Sequence, residues 1–190
     1  RCVQAVKNAI LLVFFSALIG HADIPSERDL REKAAAGDAL AENQLGESFY
    51  LGAGVTKDYV QAFDWFEKAA NQNFAPADTA LARLYEEGSG TKKDLVKAFE
   101  WYKKAADLDD IVGRYKTGIF YLEGIGTPKD IPQGFTYLLM AAQGGYAPAR
   151  ASIARCYEEG IYVTQDSIRA YKWYLIASLA GDSPDIETAL

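Results

Sequence analysis

Histidine is almost missing from this chain. His21 is the only one in 190 residues, and with two cysteines, Cys2 and Cys156, and one methionine, Met140, the side chains that most often hold metals or assist nucleophiles are scarce. If the N-terminal segment is removed after Ala22, no histidine is left, and a histidine metal site, a Ser/His/Asp triad and a Cys/His dyad are all excluded. No metal or cofactor site is expected. Cysteine pairing is excluded on the same terms, because Cys2 leaves with the segment and Cys156 stays alone. Positive charge is also in deficit, with 20 Lys plus Arg against 26 Asp plus Glu and a net charge of −6. Nucleic acid and anionic membrane surfaces are therefore not expected as partners.

Residues 1–22 read as a secretory signal. Arg1 and Lys7 form a basic start, Ala9 to Ile19 is apolar except for Ser16, and Gly20-His21-Ala22 places small residues where a signal peptidase reads. The apolar run is 11 residues long, against roughly 20 needed to cross a bilayer, so an uncleaved anchor is the weaker alternative. Cleavage lowers Lys plus Arg from 20 to 18 and moves the net charge from −6 to −8. A periplasmic or secreted location and no membrane contact after cleavage follow as expectations. With no initiator Met at its start, the chain is expected to be a piece of a longer one.

What the chain has in abundance is periodicity. Gly52, Gly88, Gly124 and Gly160 lie 36 residues apart, as do Asp58, Asp94, Asp130 and Asp166, and as do Trp65, Trp101, Tyr137 and Trp173. Three unrelated residue types in one register over four copies indicate a repeated structural unit. Each unit reads as two helices, represented by Pro76 to Glu87 and Leu95 to Ala106, with apolar residues at helical spacing. The glycine stands where a helix ends in the left-handed conformation, and the aspartate where an N-cap accepts amide hydrogen bonds. The Gly-x-Gly pair of the loop is no phosphate cradle: it follows a helix, lacks the Lys-Ser/Thr pair, and loses its second glycine at Gly160-Ile161-Tyr162.

Small and large positions keep the same register. Gly46, Ala82, Gly118 and Ala154 are followed after three residues by Phe49, Tyr85, Tyr121 and Tyr157, while Ala62, Ala98, Gly134 and Ala170 precede the Trp/Tyr column by three. Small residues let helices approach, and the aromatics fill the adjoining gap. Cys156 aligns with Ser48, Leu84 and Phe120, a place for a buried small hydrophobe rather than a nucleophile.

The pattern Ala39-x-Ala41, Leu45-Gly46, Phe49-Tyr50, Gly52-x-Gly54-Val55, Asp58, Gln61-Ala62, Trp65 and Lys68-Ala69-Ala70 resembles the Sel-one-like repeat, a relative of the tetratricopeptide repeat with a longer loop between its helices. The resemblance covers units 37–72, 73–108, 109–144 and 145–180, after an N-terminal helix in 23–36. Residues 181–190 open a further unit or capping helix, with Ser183-Pro184-Asp185 as its start. The third unit departs most, with Asp109-Asp110 at its turn, Thr117 in place of Leu45 and Leu81, and Pro132 and Gly134 in its second helix. The resemblance implies an all-α, right-handed superhelical solenoid of helix pairs, without the disulfides of cysteine-rich relatives.

The same resemblance implies a non-catalytic adaptor that holds a protein or peptide in a concave groove lined by first helices; its oligomeric state is open, with a monomer the expectation. Positions one and four after the small column are expected there: Glu47 and Tyr50, Arg83 and Glu86, Ile119 and Leu122, Arg155 and Glu158. Arg83 and Arg155 would clamp carboxylates while Ile119 and Leu122 hold side chains. The plainer reading pairs Arg83 with Glu87 and Arg155 with Glu159 along each helix. A rival function is an enzyme or binder for cell-wall peptidoglycan or β-lactam-like ligands, with Glu86, Glu87, Glu158 and Glu159 as acid and base. Against it, these glutamates repeat as exposed helix faces do.

Overall fold

In a computed structural model of the chain, residues 27–178 are described, and all regular structure among them is helical. A lone helix α1 (Glu27–Ala35) precedes four pairs: α2 (Ala39–Leu51) with α3 (Tyr59–Ala70), α4 (Ala75–Glu87) with α5 (Leu95–Asp107), α6 (Ile111–Glu123) with α7 (Ile131–Gln143), and α8 (Ala147–Glu159) with α9 (Ser167–Ser178). Each helix packs on its neighbours in sequence, and beyond these the first helices α4 and α6 approach each other. The result is an all-α solenoid. The expected signal at 1–22 and the expected helix start at Ser183 lie outside the described residues.

The periodic glycines and aspartates set the helix ends. Gly52, Gly88, Gly124 and Gly160 are left-handed, and each returns its amide to the carbonyl four residues earlier. Asp58 and Asp94 each accept two amides of the next helix on one carboxylate, and Asp130 accepts one, satisfying donors that a helix start leaves open. Between glycine and aspartate the loop is closed by one backbone bond per unit: the amides of Asp58, Asp94, Asp130 and Asp166 donate to Phe49, Tyr85, Tyr121 and Tyr157 at 2.9 to 3.0 Å. Helices α4 and α8 lack side-chain caps but carry Pro76 and Pro148 in the first turn, where a missing amide costs nothing.

The core follows the columns. Leu45, Leu81 and Ile153 are fully buried, and each contributes roughly 1.5 to 3 kcal/mol of transfer free energy. Thr117 holds the same place in the third unit, fully buried with a hydroxyl that finds no partner. The other departures of that unit are absorbed. Pro132 falls in the first turn of α7, and Asp110 caps α6 by accepting the Gly113 amide at 2.6 Å. Gly118 and Gly134 meet so closely that a β-carbon on either would stand 2.9 Å from the other's carbonyl oxygen. Cys156 is buried as expected, and burial pushes its thiol pKa up, away from nucleophilic use.

Candidate functional site

The face formed by the first helices holds the sequence-selected residues, and cross-unit contacts organise its N-terminal half. Arg83 on α4 donates through Nη2 to Glu47 Oε1 on α2 at 3.2 Å, and its guanidinium lies over the Tyr50 ring, 4.1 Å from the centroid. Tyr50 in turn donates to both oxygens of Glu87 at 3.1 Å. Burial lifts the Tyr50 phenol pKa, against the pull of Arg83, and Glu87 adds to the rise. One unit further on, Lys116 Nζ reaches Glu86 at 3.0 and 3.2 Å, and Tyr102 donates to the same carboxylate at 2.6 Å. Helices of three successive units are thus joined by charged side chains as well as by packing.

Two expectations at these positions are corrected. Leu122 does not face outward. It is 2% exposed and packs in the core, because Gly134 replaces the alanine of the other units and leaves a gap: a β-carbon there would lie 2.7 Å from Leu122 Cγ. Nor does Arg83 pair with Glu87, since Glu47 and Tyr50 occupy them respectively. Arg155 is exposed and forms no salt bridge among the described residues, so its expected pair with Glu159 is not present. Ile119 is half-buried against the core, and Glu158 accepts the Tyr174 hydroxyl at 2.7 Å.

The carboxylates of the enzymatic alternative do not converge. Glu86 is held by Lys116 and Tyr102, Glu87 by Tyr50 and Ser89, and Glu158 by Tyr174. Among the described residues no three metal-binding side chains gather, and no helix is long and apolar enough to cross a membrane. The cross-unit partners were the features missed in sequence, although Glu47 and Arg83, exactly one period apart, carried a signal for one of them.

Comparison with known proteins agrees with this geometry. The chain is 33% identical over 69 residues to the secretory immunoglobulin A-binding protein EsiB of Escherichia coli O6:H1, a stretch that takes in 34% of this chain and 14% of that protein. Its structure is similar to that of a protective antigen of uropathogenic Escherichia coli displaying an SLR fold, with a TM-score of 0.77 and 35% identity over 82% of this chain and 33% of the other. It is also similar to a Sel1 repeat protein from Oxalobacter formigenes, with a TM-score of 0.74 and 32% identity over 78% of this chain and 61% of the other. The chain spans less than two thirds of the length of each of these proteins. Sel1 repeats generally serve as protein-interaction scaffolds rather than catalysts. The Sel1 repeat model matches residues 39–74, 75–110, 111–146 and 147–182, each starting at or close to a first helix, and the chain belongs to the Sel1 repeat family.

Proposed function

We propose that this protein is a non-catalytic scaffold of the bacterial cell envelope, exported by its N-terminal segment, which binds a protein or peptide along the first-helix face. The observation that carries the reading is the ordering of that face. Arg83 and Lys116 each link a first helix to the one before it, so the surface is held in shape before a partner arrives, which lowers the entropic cost of binding. The open part of the face is its C-terminal half. Ile119 offers a half-buried apolar contact, and Arg155 offers an exposed guanidinium free for a partner's carboxylate.

The test uses the protein as bait for envelope extract and compares it with the R155E variant. Affinity for the captured partner is expected to fall at least about tenfold, or about 1.4 kcal/mol, with the melting curve unchanged because Arg155 is exposed. Unchanged affinity would overturn the assignment of this face.

A further inference from the structure

The second-helix side carries a different kind of site. At the joint between the first two units, Lys104 of α5 turns its Nζ onto the carbonyl oxygen of Ala70, near the end of α3, at 2.9 Å, and its ammonium lies 4.7 Å from the centre of the Trp101 ring. At the joint between the last two units the equivalent carbonyl, Ala142, receives Arg150 Nε at 3.0 Å. A cation thus closes both outer joints against the negative end of a helix.

The middle joint has no such cation. Met140 stands where Lys104 would be and is 44% exposed, Tyr137 replaces the tryptophan, and Arg114, in the place of Arg150, is paired with Asp109 instead. The Ala106 carbonyl receives only backbone amides, that of Asp109 at 3.1 Å and that of Leu108, and no side-chain cation. What opens there is a cleft of about 520 Å³, whose walls include Ala106, Asp107, Asp109, Arg114, Tyr137 and Met140. Asp109 is 85% exposed and Asp107, paired with Lys103 at 2.8 Å, is 54% exposed, so both carboxylates reach solvent.

We propose that this cleft receives a lysine side chain of a partner protein, whose ammonium takes the position that Lys104 and Arg150 occupy in the outer joints. The methylene stem would lie along Met140 and bring the ammonium toward Tyr137, as the ammonium of Lys104 lies over Trp101. Asp107 and Asp109, each with one oxygen already in an ion pair, to Lys103 and Arg114 respectively, offer their second oxygens to the charge, and the net charge of −6 favours a basic segment at long range. Arg114 keeps its charge on Asp109 and leaves the Ala106 carbonyl without a side-chain donor. The site lies apart from the first-helix face and does not depend on that face being a binding surface.

Met140 is the sole methionine of the chain, so a methyl-labelled sample reports from the cleft wall with one assignable NMR signal. The probe is the capped tripeptide Ala-Lys-Ala, compared with its norleucine and glutamate counterparts. The lysine peptide is expected to shift the Met140 methyl signal saturably, in the millimolar range typical of a weak single contact, and the norleucine peptide at least about tenfold more weakly. M140K fills the cleft from within and has no methionine reporter, so there the Tyr137 ring signals are followed, and they should no longer move. R114Q, which frees Asp109, should tighten binding. An unmoved Met140 signal, an equal response to norleucine, a stronger response to glutamate, or unchanged binding to M140K overturns the proposal.

Discussion

The joints between units one and two and between units three and four solve the same problem, each with a cation on a helix-end carbonyl, but with opposite charges at one wall position. In the first, the wall residue of α4 is Asp78, fully buried, and Lys104 of α5 bridges it at 3.0 Å to the Ala70 carbonyl. In the second, Arg150 stands in the place of Asp78 and donates to Ala142 and, at 3.4 Å, to Ile176, which replaces Lys104 and is itself buried. The loops differ too. A β-carbon on Gly90 would stand 2.1 Å from the Tyr59 carbonyl oxygen. The matching loop position in unit four is Tyr162, left-handed at φ 68°, with its hydroxyl donating to Glu123 at 2.7 Å and its pKa raised to about 12, first by that bond. The repeat imposes a carbonyl to satisfy and a loop to seat; it leaves the residues free.

The loops are where the comparison breaks most sharply. Gly54 and Gly90 are both left-handed, but nothing lies within 4 Å of a β-carbon on Gly54. G54A should cost about 1 kcal/mol, the strain of the conformation alone, and G90A about 3 kcal/mol or more, because the backbone of the preceding unit must move. Y162G should change stability by less than about 1 kcal/mol. Equal urea midpoints for G54A and G90A would show that the loop does not seat on its neighbour.

A smaller effect separates the two cations. K104A leaves a buried carboxylate uncompensated, at about 2 to 3 kcal/mol once the partial exposure of Lys104 is allowed for. R150A removes two bonds to carbonyls, at about 1 to 2 kcal/mol. The joints also differ in pH response. Burial, opposed by Lys104, raises the Asp78 pKa above its ordinary 3.8. A carboxyl with a raised folded pKa contributes stability that is complete below its unfolded value and lost as pH rises through the folded one. D78N should flatten that slope, K104A should move the loss to higher pH, and R150A should leave it unchanged. Urea titrations at several pH values read all three, and a slope unaffected by D78N would assign it elsewhere.

Much of this was legible in the sequence and some was not. Helix ends were, because a left-handed glycine and a capping aspartate act on their own backbone and need no knowledge of neighbours. Cross-unit partners were less so. Arg83 has an equally plausible local partner in Glu87, and only the stacking of α2 against α4 brings Glu47 within 3.2 Å. Leu122 misled for a similar reason: its direction is decided by the missing methyl of Gly134 on another helix, not by its own register.

The smallest effect sharpens the comparison from the middle joint. R114D with M140K rewrites it as a copy of the first. R114D alone introduces a carboxylate without a cation and M140K alone a lysine without the counterpart of Asp78, and together they should couple favourably by about 1 kcal/mol in a double-mutant cycle. Additive effects would mean that the joints do not share one geometry.

The backbone bond that closes each loop, from Asp58, Asp94, Asp130 or Asp166 to an aromatic nine residues earlier, bears on how the chain assembles. It joins residues close in sequence, so each hairpin forms with little loss of chain entropy, and the main helix contacts among the described residues link adjacent units. Folding can therefore begin at any pair and spread in both directions, at a rate that depends weakly on the number of units.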